Sequence, residues 1–303
     1  MREWTDSLAD RLRRGACPPR NDADVRRYVS DYIRDRVGWL TDRDFAAMLC
    51  DDFKLPGIEP DDFLHRELRI GDARALTGIR FLNLNPQRPF VDLEAVTGDV
   101  PLHEWCDAAL TAWQKFKPQS VRWYTPGAEP PPLPAGWQVE ADQHLLVGYL
   151  GEVEPCADRV ELAVADPDEA LSWLQTSYAA FHERAPHIHE RVCISSIDEL
   201  RGCQERGKLV WWHRNGERAG LLGVDRMAEF GYDGFQVDEE AVDPAHVGHG
   251  TAAAAQGEVI RMLASDHPGL AFFGTIAGRN VPSLKTAARN GRVIHGTWWF
   301  LRK

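Results

Sequence analysis

The sequence lacks a long apolar run, an apolar leader and paired cysteines. No stretch approaches the ~20 apolar residues that span a bilayer, and residues 1–6 have no apolar core of the kind found in a secretory signal. The six cysteines are spread over 303 residues without a CxxC pair, which favours reduced thiols that serve as packing residues. We therefore expect a soluble cytoplasmic protein, a monomer or homodimer with no membrane partner.

Positive charge is also scarce. The chain has 35 Lys and Arg against 46 Asp and Glu, a net charge of −11, which argues against a broad nucleic-acid-binding surface. An acidic protein suits a cationic or amine-bearing acceptor better. Basic residues do cluster near the N-terminus, so a small anionic partner or an RNA acceptor stem stays open there: Arg11, Arg13, Arg14, Arg20, Arg26 and Arg27.

Metal-ligand spacing is missing as well. The densest group of histidines, His182, His187 and His189 with Glu183 and Glu190, lacks the H-x-x-x-H spacing that brings two ligands onto one face of a helix. We expect no metal centre.

Residues 242–252 are the most informative segment, because an apolar strand there leads through a glycine-rich turn into an alanine-rich helix. Gly248 and Gly250 have no Cβ, so the backbone can approach a ligand closely. The first N–H groups of the following helix have no partner inside it and favour an anion such as a pyrophosphate. The predicted donor-binding residues here are Val242, Val247, Gly248, His249, Gly250, Thr251 and Ala252.

The order of motifs from about residue 160 to residue 303 resembles the GNAT superfamily of acyl-CoA N-acyltransferases. Val242 and Pro244 match that family's V-x-P element, and the glycines match its R/Q-x-x-G-x-G/A loop. Asn280, followed by Ala287 and Gly291, is similar to its N-x-x-A/S-x-x-x-Y-x-x-x-G element. The resemblance implies acetyl-CoA or another acyl-CoA as co-substrate, no metal, and a contact from Asn280.

Two positions depart from the family pattern. Val247 stands where Arg or Gln is usual, which removes one side-chain contact near the pyrophosphate. Ala287 stands where a tyrosine often protonates the departing thiolate, so another group must take that role, and water and Ser283 are the candidates.

Acyl transfer to an amine also needs a base, because the attacking nitrogen must be neutral. The strand before the loop carries Asp238, Glu239 and Glu240. Strand alternation predicts Glu239 on one face, with Asp238 and Glu240 on the other. Glu239 occupies the position three before the valine that serves as base in some GNAT members, and Glu240 is the reserve candidate.

The two halves of the chain repeat one pattern of predicted elements. Residues 208–214 and 217–224 flank the hairpin signal Asn215-Gly216, and residues 65–70 and 75–82 flank Gly71-Asp72 in the same way. The fold class is therefore predicted as α/β (α+β), with two tandem GNAT-like units, each a mixed, mostly antiparallel central sheet flanked by helices. A degenerate domain would span residues 1–155, where residues 97–103 hold one glycine and an acidic residue in place of the cradle. The acyltransferase domain would span residues 156–303.

The sequence thus predicts an N-acyltransferase that moves an acyl group, typically acetyl, from acyl-CoA to an amine of a small-molecule acceptor by direct attack. One alternative keeps the fold and takes the acyl group from an aminoacyl-tRNA; tRNA is a partner only under that alternative. A second alternative is a non-catalytic sensor that binds an acyl-CoA or a metabolite.

Overall fold

The computed structural model describes residues 1–186 and 191–303. By their internal contacts these residues form two units, one of residues 1–143 with 296–303 and one of residues 144–295. We call them unit 1 and unit 2. Two long strands contribute residues to both: β5, Gln138–Tyr149, and β11, Val293–Arg302.

Unit 1 begins with helices and continues into a sheet. Its helices are α1 Arg2–Arg13, α2 Asp22–Gly38, α3 Arg43–Phe53 and α4 Leu102–Ala112, and its other strands are β1 Arg66–Ile70, β2 Ala73–Phe81, β3 Pro89–Val96 and β4 Val121–Pro126. The strand order is β1-β2-β3-β4-β11. The β3–β4 pair is parallel, whereas β1–β2, β2–β3 and β4–β11 are antiparallel.

Unit 2 contains the motif-bearing segment. Its helices are α5 Pro167–Arg184, α6 Ile197–Arg206, α7 Thr251–Asp266 and α8 Val281–Arg289, and its strands besides β5 and β11 are β6 Glu161–Val164, β7 Lys208–Arg214, β8 Glu217–Glu229, β9 Tyr232–Val242 and β10 Ala271–Ala277. The strand order is β5-β10-β9-β8-β7-β6. The β9–β10 pair is parallel, and the β6–β7, β7–β8 and β8–β9 pairs are antiparallel.

The sheet of unit 2 buries apolar side chains on both faces. Leu222, Val224 and Phe272 pack with Val259 of α7 on one face. On the other, a second cluster joins the sheet to α5 and α6 through residues that include Leu174, Leu200, Leu209, Leu221 and Ala241. The strands thus form mixed, mostly antiparallel β-structure flanked by helices, which confirms the α+β class.

Local signals located both predicted hairpins, β1–β2 and β7–β8. The Asn215-Gly216 turn joins β7 and β8 with positive φ at both residues, the backbone that this dipeptide favours. The strand predicted at residues 217–224 is longer than expected, because β8 runs on to Glu229 and turns into β9 through Phe230 and Gly231.

The two units repeat one order of elements: helix, helix, three antiparallel strands, helix and a parallel strand. This order holds for α2 to β4 in unit 1 and for α5 to β10 in unit 2. The predicted domain boundary at residue 155 falls inside unit 2, and residues 296–303 have their contacts in unit 1. The domain assignment stays a prediction. Among the described residues, no helix has the length and apolarity to cross a bilayer.

A substitution at Gly234 tests the close packing of β9 against β10. A Cβ at this position would lie 2.0 Å from the carbonyl oxygen of Ala271, its partner in the ladder. We expect Gly234→Ala to lower the free energy of unfolding by about 2–3 kcal/mol, because backbone must move to make room. Gly269→Ala is the control, since nothing lies within 4 Å of its Cβ position. Urea denaturation followed by tryptophan fluorescence should show a midpoint shift for the first variant only, and equal midpoints would contradict the prediction.

Candidate functional site

The loop between β9 and α7 has the backbone that the glycines predict. It begins with a turn in which the Asp243 carboxylate accepts the Ala245 N–H at 2.9 Å. Gly248 and Gly250 follow with φ of +84° and +73°, in the left-handed region that favours glycine. The side chain of Val247 is 50% exposed and points away from the core. It therefore does not hold the loop in place by packing.

Helix α7 begins directly after this loop without a side-chain cap. Gly250 is the N-cap residue, and the first helical backbone bond runs from Ala254 N–H to Gly250 O at 3.2 Å. The N–H groups of residues 251–253, which come before Ala254, are therefore free to bind a ligand. The hydroxyl of Thr251 is buried without a hydrogen-bond partner, and Ala252 is buried beside it. His249 lies in the loop with its side chain exposed.

The β9–β10 ladder ends before the two strands do. Ladder pairs join Gly234 with Ala271, and continue only to Gln236 with Phe273. β9 nevertheless continues to Val242 and β10 to Ala277. The backbone groups of the two strand ends are therefore not joined to each other by ladder bonds. Because parallel strands end at the same edge, this opening lies at the edge that carries the glycine loop.

A β-bulge reorients the acidic residues of β9. The register against β8 shifts so that Val237 pairs with Val224 and Glu239 with Gly223, which leaves Asp238 as the extra residue. The Asp238 carboxylate lies 3.7 Å from Cys203 Sγ of α6. The prediction that Asp238 shares a face with Glu240 is therefore wrong, because the bulge interrupts the alternation on which it rested.

Glu239 is a buried carboxylate surrounded by hydrogen-bond donors. Its side chain accepts a bond from the Tyr178 hydroxyl of α5 at 2.7 Å and from the Ser195 N–H at 3.0 Å. The Glu240 N–H donates to it as well, at 3.0 Å. Glu239 is only 2% exposed, and burial raises its pKa although the bonds from Ser195 and Tyr178 act in the opposite direction. A carboxylate with a raised pKa accepts a proton more readily at neutral pH.

Glu240 faces the opposite side of the sheet, toward α7. Its carboxylate accepts a bond from the Gln256 side chain, and Gln256 accepts one from the buried guanidinium of Arg292 at 2.8 Å. Burial raises the pKa of Glu240, an effect that the charge of Arg292 opposes. Burial likewise lowers the pKa of Arg292 to about 10. This chain of partners ties β9 to α7, so Glu240 is held as part of the core.

The second motif lies at the start of α8. The side chain of Asn280 is the N-cap and accepts the Ser283 N–H at 3.4 Å. Ser283 is half-buried. Ala287 is fully buried, so its methyl group fills a packing position where the family pattern has a phenol.

Two residues next to the second motif are functional candidates that sequence reasoning missed. The amide of Asn290 is fully buried and donates to Ala253 O at 3.0 Å, while its oxygen accepts the Cys156 N–H at 2.9 Å. The neighbouring Arg289 reaches back to the glycine loop, because a Cβ on Gly250 would lie 2.5 Å from its Nη1. Tyr178 and Ser195 were missed as well, since no motif marks residues that touch Glu239 from α5 and the segment before α6.

Unit 1 has the same opening between its parallel strands, and its own residues fill it. The β3–β4 ladder joins Asp92 with Arg122 and ends there, although both strands continue. Arg11 of α1 donates to Glu94 O of β3 at 3.4 Å and to Tyr124 O of β4 at 3.3 Å. A nearby cavity of about 470 Å³ is lined by acidic side chains and loop backbone: Glu3, Asp6, Ser7, Asp72, Val96, Thr97 and Gly98. These carboxylates would repel a phosphate.

The histidine cluster can be assessed only in part. His187, His189 and Glu190 lie outside the described residues. Elsewhere in the chain, no group of three or more His, Cys, Asp or Glu side chains is arranged to hold a metal ion.

The known proteins that resemble this chain do so only distantly. No protein-family profile and no curated protein matches the chain. Among solved structures, a GNAT-family acetyltransferase from Colwellia psychrerythraea is 13% identical, with 76% of this chain and 86% of that one covered and a TM-score of 0.47. A GCN5-related N-acetyltransferase from Sphaerobacter thermophilus is 15% identical, with 85% and 89% covered and a TM-score of 0.45. The C-terminal domain of a protein described as a lysylphosphatidylglycerol synthetase, from Agrobacterium fabrum, is 10% identical, with 86% and 92% covered and a TM-score of 0.41. Any assignment of a reaction to this protein therefore has to be argued from the residues of the site.

The bulged Asp238 gives unit 2 a measurable dependence of stability on pH. Burial raises its pKa from 3.8 to about 6, although a bond from Gln236 opposes the rise. The folded state therefore binds this proton more tightly than the unfolded state, and the stability that it contributes below pH 3.8 is lost as the pH rises through 6. We expect the free energy of unfolding of Asp238→Asn, relative to that of the wild type, to rise by about 1–2 kcal/mol when the pH is raised from 4 to 7. This gain is smaller than the ~3 kcal/mol of the full pKa displacement because the side chain is partly exposed.

Urea denaturation at the two pH values measures this difference. Asparagine keeps the oxygen that accepts the 2.8 Å bond from Gln236, so the variant should remain folded. An unchanged difference between the variant and the wild type at the two pH values would contradict the assignment.

Proposed function

We propose that the protein is a GNAT-type N-acyltransferase that transfers an acyl group from acyl-CoA to the amine of a small-molecule acceptor. The observation that carries the proposal is the arrangement at the end of β9. There a glycine loop with left-handed backbone opens onto the free N–H groups of α7. On the same strand the buried Glu239 is held by α5 and by the segment before α6. The repeated order of elements in the two units supports a tandem arrangement in which only unit 2 binds donor.

The donor would bind along the opening between β9 and β10. Its pyrophosphate would lie on residues 248–252, where the backbone N–H groups and the positive end of the α7 dipole stabilise negative charge. The amide-bearing arm of CoA would pair with the backbone at the end of β9, since these groups have no ladder partners on β10. Asn280 caps α8, the helix that follows β10.

The acceptor would approach from the α5 side of the sheet. Glu239 is 2% exposed, so a proton from the attacking amine would reach it through the Tyr178 hydroxyl. The amine nitrogen forms the new bond to the acyl carbon and gives its proton to the tyrosine oxygen, and the tyrosine passes its own proton to Glu239. The developing oxyanion would accept hydrogen bonds from backbone N–H groups at the end of β9. Water or Ser283 would protonate the departing thiolate.

Burial of Glu239 is the specific observation that favours a different function. A carboxylate that accepts three hydrogen bonds and is closed to solvent is also what a purely structural residue looks like. In that case unit 2 would bind an acyl-CoA or a metabolite without turning it over. The aminoacyl-tRNA alternative keeps the same site, and the absence of a basic residue at Val247 and of a tyrosine at Ala287 supports it.

Donor binding is the first property to measure. We expect acetyl-CoA and CoA to bind with micromolar affinity in isothermal titration calorimetry. Gly250→Trp should weaken binding about 100-fold, because the indole would cover the N–H groups of α7. Gly216→Trp is the matched control: Gly216 has φ of +81° but lies in the open β7–β8 turn. If the wild type binds no CoA, the acyl-CoA proposal fails and aminoacyl-tRNA becomes the donor to test.

Turnover separates a catalyst from a binder. We expect Glu239→Gln to lower kcat about 100-fold or more, because the amine loses its proton acceptor, and to leave CoA affinity within about twofold. Tyr178→Phe should also lower kcat, since it interrupts the path to Glu239. The assay follows release of the CoA thiol from acetyl-CoA over a panel of amines. If only Glu240→Gln lost activity, Glu240 rather than Glu239 would be the proton acceptor. A wild type that binds CoA but releases no thiol with any amine would support the sensor function.

A further inference from the structure

The glycine loop has lost the basic side chain that would contact the donor phosphates, since Val247 is apolar and 50% exposed. A charged group does approach the same loop from another element. The guanidinium of Arg289, in the last turn of α8, lies over Gly250, whose Cβ position is 2.5 Å from Nη1 and 3.6 Å from Cζ. A side chain at position 250 would therefore force the guanidinium to move.

The backbone that carries Arg289 is fixed by its neighbour. Asn290 is fully buried and bonds to Ala253 in the first turn of α7, to Thr286 of α8 and to Cys156. This single amide ties the end of α8 to the beginning of α7. The position of Arg289 beside the glycine loop therefore follows from packed, buried contacts.

The guanidinium is held by contacts that a phosphate could replace. Its Nη2 donates to Asp158 at 2.9 Å and to Cys156 Sγ at 3.4 Å. The Arg289 and Asp158 side chains are 47% and 66% exposed, and an ion pair so exposed contributes little stability. A phosphate on the free N–H groups of α7 would offer the arginine a bidentate, charge-assisted partner instead.

An unpartnered group at the same place also points to a ligand. The Thr251 hydroxyl is buried, with the residue 5% exposed, and has no hydrogen-bond partner. It belongs to the first residue of α7, directly after Gly250. A buried hydroxyl without a partner is costly, and a ligand oxygen at the start of the helix would satisfy it.

We propose that Arg289 is the cationic contact to the pyrophosphate of the donor and replaces, from a different helix, the basic residue missing at position 247. The inference rests on the proposed function and goes beyond it. Asp158 holds the arginine beside the loop when no donor is bound, and the phosphate displaces Asp158 on binding.

Calorimetric titration of CoA and dephospho-CoA into the full chain tests this assignment. Dephospho-CoA lacks the 3′-phosphate but keeps the pyrophosphate. Arg289→Ala should weaken the binding of both ligands by the same factor, about 10- to 100-fold, and should make binding less sensitive to NaCl. Asp158→Asn should tighten binding about two- to fivefold, because it frees the arginine. Val247→Arg should restore affinity to Arg289→Ala.

Arg201→Ala is the charge-matched control. Arg201 is a similarly exposed arginine on α6, at 51%, and α6 packs on the opposite face of the sheet from α7. Its removal should leave both affinities unchanged.

Urea midpoints close to that of the wild type would show that each variant folds. Unchanged CoA affinity in folded Arg289→Ala would overturn the inference and leave the proposed function intact. A loss confined to CoA would overturn it too, because it would place the arginine on the 3′-phosphate. A wild type that binds neither ligand would overturn the function and the inference together.

Discussion

The early end of the β9–β10 ladder is the constraint on which the site of unit 2 depends. Ladder pairing stops at Gln236 and Phe273, and the bulge at Asp238 follows immediately on the other edge of β9. Beyond that point β9 remains paired with β8 but not with β10, so its backbone groups on one edge are available. The same strand then delivers the chain to the glycine loop and α7. The early end of the ladder therefore leaves the opening next to the strand end that leads into the glycine loop.

The two buried carboxylates of β9 lie on opposite faces of the strand and are stabilised by different partners. Glu239 is stabilised by dipoles, from a phenol and two backbone N–H groups. Glu240 is stabilised by Gln256 and by the buried cation Arg292. Burial raises the pKa of both carboxyl groups. At Glu239 the opposing effect comes from hydrogen-bond donors, and at Glu240 it comes from the charge of Arg292 and the bond from Gln256.

The two units share one arrangement of side chains on their central strands, with different charges around it. In both, a tyrosine of a helix donates to a carboxylate of the central strand: Tyr178 to Glu239 in unit 2 and Tyr32 to Glu94 in unit 1. Both central strands also carry a bulge. In unit 1, however, Glu94 is near Arg36 and Arg80, and an arginine of α1 occupies the strand opening. The elements are the same, and the charges around them differ.

The sequence by itself determined the hairpin at Asn215 and Gly216, the glycine loop, the alanine-rich helix after it and the repeated order of elements, because each depends on local backbone preference or on hydrophobic period. Only the tertiary structure decided which face Asp238 takes, because a bulge depends on pairing with another strand. It alone brought Tyr178 to Glu239 and Arg289 to Gly250, since residues distant in sequence meet only when helices pack on the sheet. That position 247 holds an apolar residue is visible in the sequence, but the approach of Arg289 to the same loop is not.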